Sequence, residues 1–233
     1  MRDYNPPPGD YNPPPAPAPE PQERARSIGG RAADDVASPA PLGLNVLAFA
    51  TAILGCFYAG FIIPYQGLGV RPAIGAILLV SGVVLVIAGI LEYRKNSLVS
   101  ATIFTSYGGF LAAIGLIFMP NLGILGVLLG SGNFNFAMGL FFLCWTIFSA
   151  ILFVGALKTN MSLAITMGIL TVAYLLLTIG NLSSSNVINN IGGWVAIVAA
   201  LAAWYTGLTT ILSASDPNVA SRLSLGHRVN PVE

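Results

Sequence analysis

The residue types that most often hold metals or attack substrates are scarce in this chain of 233 residues. His227, the only histidine, lies near the C-terminus, and Cys56 and Cys144 stand far apart in apolar surroundings. Isolated cysteines in such surroundings usually behave as small hydrophobic side chains. The sequence also lacks a glycine-rich loop with a phosphate-binding lysine. We therefore predict no metal site, no cofactor and no enzymatic activity.

A different chemistry, the binding of a solute by uncharged groups, is indicated by a polar stripe within one apolar segment. Its residues are separated by 3, 4 and 3 positions, which places them on one face of a helix. The stripe consists of Thr171, Tyr174, Thr178 and Asn181. Asn45 adds an amide in an earlier apolar segment. We predict that these side chains bind a solute, although such groups also bond between helices or to their own backbone.

The segments that carry these residues must cross a membrane. Hydrophobic residues make up 55% of the chain and charged residues only 8%, whereas a soluble domain has roughly 25% charged residues. A transmembrane helix needs about 20 predominantly apolar residues. Dividing the charge-free stretches at Pro, Gly, Asn and Ser clusters predicts an all-α integral membrane protein with six spans. They are approximately 41–63, 72–92, 98–119, 136–157, 161–181 and 190–213.

The positions of lysine and arginine predict the orientation, because short loops rich in them stay cytoplasmic. An even number of spans places both termini on the same side. The cationic residues near the spans fall on that side, and Arg71 alone falls on the other. We therefore predict a multi-pass protein of the plasma membrane whose termini are both cytoplasmic.

Two tails flank the predicted transmembrane domain of residues 37–215. Residues 1–36 contain the repeats "DYNPPPG" and "DYNPPPA" and have no apolar stripe. This composition predicts a disordered segment with polyproline character. It is either a solvated tail or a ligand for a partner with an aromatic-lined groove. Residues 216–233 form a second cytoplasmic tail, and nothing in the sequence points to nucleic-acid binding.

Several motifs, in order, resemble those of one family. "SPAPLGL" is similar to "NPAPLGL", and "GILEYRKNSLVSATIFTSYGGF" is similar to "GLLEYKKGNTFGxTAFTSYGxF". "FFLCWTIFSAILFVGALK" and "LLLTIGN" resemble the fourth and fifth helices of the same family. The family is that of the acetate uptake transporters, also called succinate/acetate permeases, and the resemblance covers about residues 38–213. It implies a six-helix protomer with its own pore, a homohexamer, and proton-linked symport of acetate, similar short monocarboxylates and succinate.

The resemblance also implies a constriction in the pore. The family's aromatic and apolar constriction residues correspond to Tyr107 and Leu170, and Leu47 replaces a phenylalanine. A buried tyrosine also needs a partner for its hydroxyl, which it can offer to a passing carboxyl group. The family's "GEVLNE" is replaced by "TTILSA", with Thr210 at the first acidic position. This departure leaves proton coupling and substrate preference open.

"SPAPLGL" (38–44) has the features of an anion site. A helix N-terminus carries free N–H groups and a partial positive charge. Ser38 can cap this helix, and the backbone donors belong to Ala40, Leu42 and Gly43. We predict that they receive a small carboxylate near the cytoplasmic mouth, with Gly43 allowing its close approach. The alternative is that the prolines only begin a helix.

The energetics favour a neutral form of the substrate. Burying a bare carboxylate costs of order 20 kcal/mol in the Born limit, whereas protonating a group with a pKa of about 4 at pH 7 costs about 4 kcal/mol. The predicted spans offer one acidic residue, Glu92, which we interpret as a solvated partner of Arg94 and Lys95. A coupled proton therefore travels on the substrate. Two alternatives stay open: a channel for small neutral solutes such as urea, amides or ammonia, and a membrane anchor that does not transport.

Overall fold

The computed structural model describes residues 38–61, 70–119, 122 and 124–215. The predicted tails, 1–36 and 216–233, lie outside these ranges. Within them the regular structure is helical. The helices are α1 (Ala40–Ala59), α2 (Arg71–Arg94), α3 (Leu98–Phe118), α4 (Ile124–Gly130), α5 (Phe134–Ala156), α6 (Met161–Leu182) and α7 (Asn186–Ser215). Six of them are long and apolar enough to cross a membrane, which confirms the predicted all-α class and the number of spans.

The largest differences from the predicted bounds are at the end of α1, which is Ala59 instead of about residue 63, and at the start of α7. Helix α7 begins at Asn186 instead of near residue 190, because the serine and asparagine residues there extend the helix beyond its apolar part. Helix α4, of only 7 residues, lies in a segment that the sequence left between spans. It is too short to cross a bilayer, which requires about 20 residues.

Local signals explain how α1 and α6 begin. The N-cap of α1 is Pro39, and no side chain caps it, so the predicted cap by Ser38 is wrong. Proline can replace a cap here because its fixed φ angle suits the first turn of a helix. Helix α1 ends at Gly60, whose φ of 66° is in the left-handed region that glycine tolerates. At the start of α6, the side chain of Asn160 accepts a hydrogen bond of 2.8 Å from the Ser162 N–H.

Helices α2 and α3 pack backbone against backbone along small residues. A methyl group added to Gly75 would lie 2.9 Å from a carbonyl oxygen of α3, and one added to Gly89 would lie 3.0 Å from another. These contacts recur every seven residues, which is the period of two long helices that cross at a shallow angle. The pairs are Gly75 with Gly115, Gly82 with Gly108, and Gly89 with Ala101.

A similar contact joins the first and last spans. A Cβ atom on Gly55 of α1 would lie 2.9 Å from the Gly193 carbonyl oxygen of α7, and one on Gly193 would meet the Ala59 backbone. Helix α6 packs on both α5 and α7. The largest fully buried aromatic side chains come from α1, α3, α5 and α6 and include Tyr58, Tyr107, Tyr174 and Phe142. The close helix contacts therefore surround an aromatic centre.

Adjacent glycines in α3 provide a test of this packing. We expect Gly108→Ala to destabilise the protein by about 1–3 kcal/mol, because a Cβ there meets the α2 backbone at 2.7 Å. Gly109→Ala is the matched control, since a Cβ at Gly109 has nothing within 4 Å and alanine favours a helix by about 1 kcal/mol. Thermal unfolding in detergent compares the two variants. Equal losses of stability would contradict the assigned role of Gly108.

Candidate functional site

A cavity of about 160 Å³ lies at the end of the bundle where α1 begins. Helices α1, α3, α6 and α7 and the connection between α5 and α6 all contribute to its wall. The apolar part of the wall consists of Ala40, Leu44, Ile103, Phe104 and Leu163. The polar part consists of Ser100, Thr159, Asn160, Thr206 and Thr210. The described residues of the lining include no charged side chain, so the polar groups that a ligand meets there are hydroxyl and amide groups.

The hydrogen bonds of this wall determine what it offers to a ligand. Thr210 donates its hydroxyl proton to the Thr206 carbonyl at 2.7 Å, and Thr206 donates to the Ala202 carbonyl at 2.8 Å. The Thr206 hydroxyl oxygen also lies 2.6 Å from that of Ser162. A hydroxyl group has one proton and two lone pairs. Thr210 gives its proton to the backbone and keeps an acceptor, which a ligand that donates a hydrogen bond can use.

The N-terminus of α1 offers fewer donors than the sequence predicts. The Gly43 N–H donates to the Pro39 carbonyl at 3.0 Å. The prediction that this N–H is free to bind a ligand is therefore wrong. The Ala40 backbone lies in hydrogen-bonding contact with the Glu92 carboxylate of α2. The side chain of Leu42 is 49% exposed and does not line the cavity. The predicted anion site therefore already faces a carboxyl group of the chain itself.

Glu92 is buried, with only 3% of its surface exposed. Its carboxyl group interacts with the Ser97 side chain, the Ala40 backbone and the Lys95 cation, and its Oε1 has no hydrogen-bond partner among the described residues. The interpretation of Glu92 as a solvated partner of neighbouring cations is therefore wrong. A carboxylate beside the start of a helix is favoured by the partial positive charge there. Sequence reasoning missed this contact because Glu92 and Ala40 are far apart in the chain.

Gly43 and Asn45 both pack against residues of other helices. A Cβ atom added to Gly43 would lie 2.6 Å from the ring of Phe104, so the ring occupies the space that was predicted to admit a ligand. Because Phe104 lines the cavity, Gly43 influences the cavity through that ring. The side-chain amide of Asn45 donates to the Pro41 carbonyl at 2.8 Å and lies against Gly207 of α7.

The three predicted constriction residues lie deeper in the bundle. Leu47, Tyr107 and Leu170 are at most 1% exposed and belong to the same cluster of buried side chains. The Tyr107 hydroxyl lies 2.9 Å from the hydroxyl of Ser149 in α5. The ring centroids of Tyr107 and Tyr174 are 6.2 Å apart. Sequence analysis did not select Ser149, because the pairing joins residues 42 positions apart.

The polar stripe of α6 is satisfied for the most part by protein groups. Thr171 donates to the Met167 carbonyl at 2.8 Å. Thr178 donates to the Tyr174 carbonyl at 2.8 Å and lies 3.2 Å from the hydroxyl of Thr146. The Asn181 amide donates to the Leu177 carbonyl at 2.8 Å and to Asn189 at 3.0 Å. These bonds agree with the alternative interpretation of the stripe, in which the polar groups bond between helices or to their own backbone.

Tyr174 differs from the rest of the stripe. Its side chain is fully buried, yet within the described part of the chain its hydroxyl has no hydrogen-bond partner. The carbonyl oxygen of the Asn181 side chain and the hydroxyl of Thr51 are also buried without a hydrogen-bond partner among the described residues. A buried polar group without a partner costs about 1–3 kcal/mol. A bound water or solute removes that cost, so Tyr174 is the strongest candidate in the stripe for contact with a solute.

Comparison with known proteins gives consistent matches over most of the chain. The model of the GPR1/FUN34/yaaH family matches residues 27–222. The succinate-acetate/proton symporter SatP of Escherichia coli K12 is 32% identical over 179 residues, which are 76% of this chain and 90% of that protein. The ammonia transport outward protein 2 of Saccharomyces cerevisiae is 30% identical over 87% of this chain and 67% of its own length.

A solved structure is also similar. The structure of the bacterial acetate channel SatP matches with a TM-score of 0.67 and 27% identity. The match covers 85% of this chain and 100% of that one. The arrangement of helices that builds the cavity and the aromatic centre is therefore shared with a membrane channel.

The contact between Glu92 and the start of α1 can be tested by stability. We expect Glu92→Gln to lower the free energy of unfolding by about 1–2 kcal/mol, because the amide offers one acceptor oxygen to the Ala40 backbone and the Ser97 side chain where the carboxylate offers two. Arg94→Gln, an exposed change at the end of the same helix, is the control and should change little. Thermal unfolding in detergent measures both. A Glu92→Gln protein as stable as the parent would show that the carboxyl group does not support α1.

Proposed function

Because the chain belongs to the GPR1/FUN34/yaaH family, we propose that it transports acetate and similar short monocarboxylates across the cell membrane, with succinate as a further substrate. It acts as a transporter or channel, not as an enzyme. The substrate enters at the cavity beside α1 and passes the buried cluster around Tyr107 and Tyr174. The proton that neutralises the substrate travels with it.

The observation that carries this proposal is the uncharged, hydroxyl-rich cavity at the start of α1. Its volume of about 160 Å³ exceeds the roughly 30 Å³ that one water occupies in the liquid, so an acid as small as acetate fits. Hydroxyls that have donated their protons to the backbone accept a hydrogen bond from the O–H of a neutral carboxylic acid. A lining without cations gives little compensation to a bare carboxylate, whose burial costs several kcal/mol even after relaxation.

The same reasoning supports a proton carried on the substrate. Membrane-embedded acids or histidines usually relay protons in coupled transporters. In the described helices Glu92 is the buried acid, and it contacts the start of α1 and Ser97. Thr210, at the position of the family's acidic motif, lines the cavity with an uncharged side chain. Protonating the substrate costs about 4 kcal/mol at pH 7, which is less than burying the anion.

The proposal includes an orientation and an assembly. The termini face the cytoplasm, which the distribution of lysine and arginine supports. The protein assembles as a hexamer, with a transport path in each protomer, as the family resemblance implies. The proline-rich segment 1–36 is a cytoplasmic tail, either solvated or bound to a partner's groove, and 216–233 is the second tail.

A second candidate is a channel for small neutral solutes such as ammonia, amides or urea. Two observations favour it: the cavity lining carries no charge, and one relative is named an ammonia transport outward protein. Its requirements differ from those of acetate in one respect. Urea and amides do not titrate and need no accompanying proton, so their flux is independent of the proton gradient.

Uptake into proteoliposomes that contain the purified full-length protein distinguishes the two candidates. We expect labelled acetate to enter faster than into empty liposomes, to accumulate with an inward proton gradient, and to be displaced by unlabelled succinate but not by urea. Because neutral acetic acid crosses bare lipid, the empty liposomes are the essential reference. Urea or ammonia flux above that reference, with acetate flux at it, would favour the neutral-solute channel instead.

Tyr174→Phe tests the path through the aromatic centre. Removing a buried hydroxyl that has no protein partner should leave thermal stability unchanged or raised. If the hydroxyl binds the substrate, acetate uptake should nevertheless fall about tenfold, since a lost hydrogen bond of about 1.4 kcal/mol corresponds to that factor. Tyr93→Phe, at an exposed position, is the control. Unchanged uptake by Tyr174→Phe would remove this hydroxyl from the path.

A further inference from the structure

The hydroxyl of Ser149 bonds differently from most hydroxyls in the described helices. Those of Thr105, Thr146, Thr171 and Thr178 donate to the carbonyl four residues earlier in their own helix, at 2.7–2.8 Å. Ser149 instead bonds across the bundle, from α5 to the Tyr107 hydroxyl of α3, at 2.9 Å. Both side chains are completely buried. Local backbone satisfaction is available to any helical serine, whereas the buried Tyr107 hydroxyl needs a partner from another part of the bundle.

We propose that Ser149 is a positioning residue that sets the hydrogen-bonding role of Tyr107 toward the transported acid. This inference rests on the proposed function. Either hydroxyl of this pair can be the donor; in the proposed arrangement Tyr107 donates its proton to Ser149, and the phenol oxygen of Tyr107 is left as an acceptor. Tyr174, whose hydroxyl has no partner among the described residues, supplies the donor. A neutral carboxylic acid has one O–H donor and one carbonyl acceptor, so the two tyrosines match it, whereas a carboxylate has acceptors only.

The geometry also indicates what happens without Ser149. A buried hydroxyl that loses its partner seeks another, because the unpaired state costs about 1–3 kcal/mol. The nearest tyrosine is Tyr174, with ring centroids 6.2 Å apart and planes tilted by 38°. In Ser149→Ala the two phenols then satisfy each other. Both of the groups that would bind the acid are occupied, and the substrate must compete with that bond.

Neighbouring contacts keep the Tyr107 ring in place when the bond is removed. Trp145 lies edge-on to the Tyr107 ring, with centroids 5.4 Å apart, and Phe110 lies at 6.3 Å. The bond to Ser149 therefore controls the direction of the hydroxyl more than the position of the ring. A change at Ser149 should affect substrate affinity more than the fold.

The test measures acetate uptake kinetics in proteoliposomes for the parent, Ser149→Ala, Tyr107→Phe and the double variant. We expect Ser149→Ala to raise KM about tenfold with the maximal rate changed less than twofold. In the Tyr107→Phe background, Ser149→Ala should cause no further change, because the hydroxyl that it positions is absent. Ser106→Ala is the matched control: Ser106 precedes Tyr107 in α3, and its hydroxyl bonds to carbonyls of its own helix. It should keep the parent KM.

Two results would overturn the inference: an unchanged KM in Ser149→Ala, or an equal increase in KM from Ser149→Ala with and without the Tyr107 hydroxyl. In a double-variant cycle, the thermal stability of the parent, the two single variants and the double variant also gives the coupling between Ser149 and Tyr107. This coupling distinguishes failure of the positioning role from failure of the proposed function. If the parent carries no acetate, the proposed function and the role of Ser149 in it both fail, although the cycle still detects the bond. If the parent carries acetate and the cycle shows no coupling, the positioning role alone fails.

Discussion

The arrangement of this bundle depends on how closely its helices approach one another. Inside a bilayer, lipid chains are as apolar as leucine, so helices associate through packing and hydrogen bonds. Here α2 meets α3 at small residues spaced seven apart, and α1 meets α7 at Gly55 and Gly193. These contacts determine where the start of α1 lies relative to α3 and α7, whose residues complete the cavity wall. Larger side chains there would separate the helices and remove the site.

The interior that results is polar but nearly uncharged. Most hydroxyls in the described spans donate to their own backbone, which satisfies the carbonyl and leaves the hydroxyl oxygen as an acceptor. Glu92 contacts the N-terminus of α1 and Ser97, so the buried acid supports a helix end. Deeper in the bundle, Tyr107 has a hydroxyl partner and Tyr174 has none. The described interior therefore offers hydrogen-bond donors and acceptors and few charged groups, of which Glu92 and Arg71 are buried.

The sequence predicted the six spans because long charge-free stretches leave few alternatives. It also placed Tyr107 and Leu170 in the interior. It could not predict contacts that depend on two distant segments, such as Glu92 with Ala40 or Ser149 with Tyr107. The predicted cap at Ser38 failed because Pro39 already begins the helix. The stripe of α6 was recognised as polar, but periodicity alone could not show that Thr178 and Asn181 bond to neighbouring helices while the Tyr174 hydroxyl does not.

The hydroxyls that donate to the backbone of their own helix also affect how the sequence of such a protein can diverge. A threonine that bonds only to its own helix, such as Thr171, contributes little to the contacts between helices. Exchange for valine or alanine removes an acceptor from the interior and leaves the glycine contacts unaltered. The chemistry of the path and the framework that encloses it therefore vary independently. A single architecture can then serve proteins named for different solutes, as with the succinate-acetate symporter and the ammonia transport protein that this chain resembles.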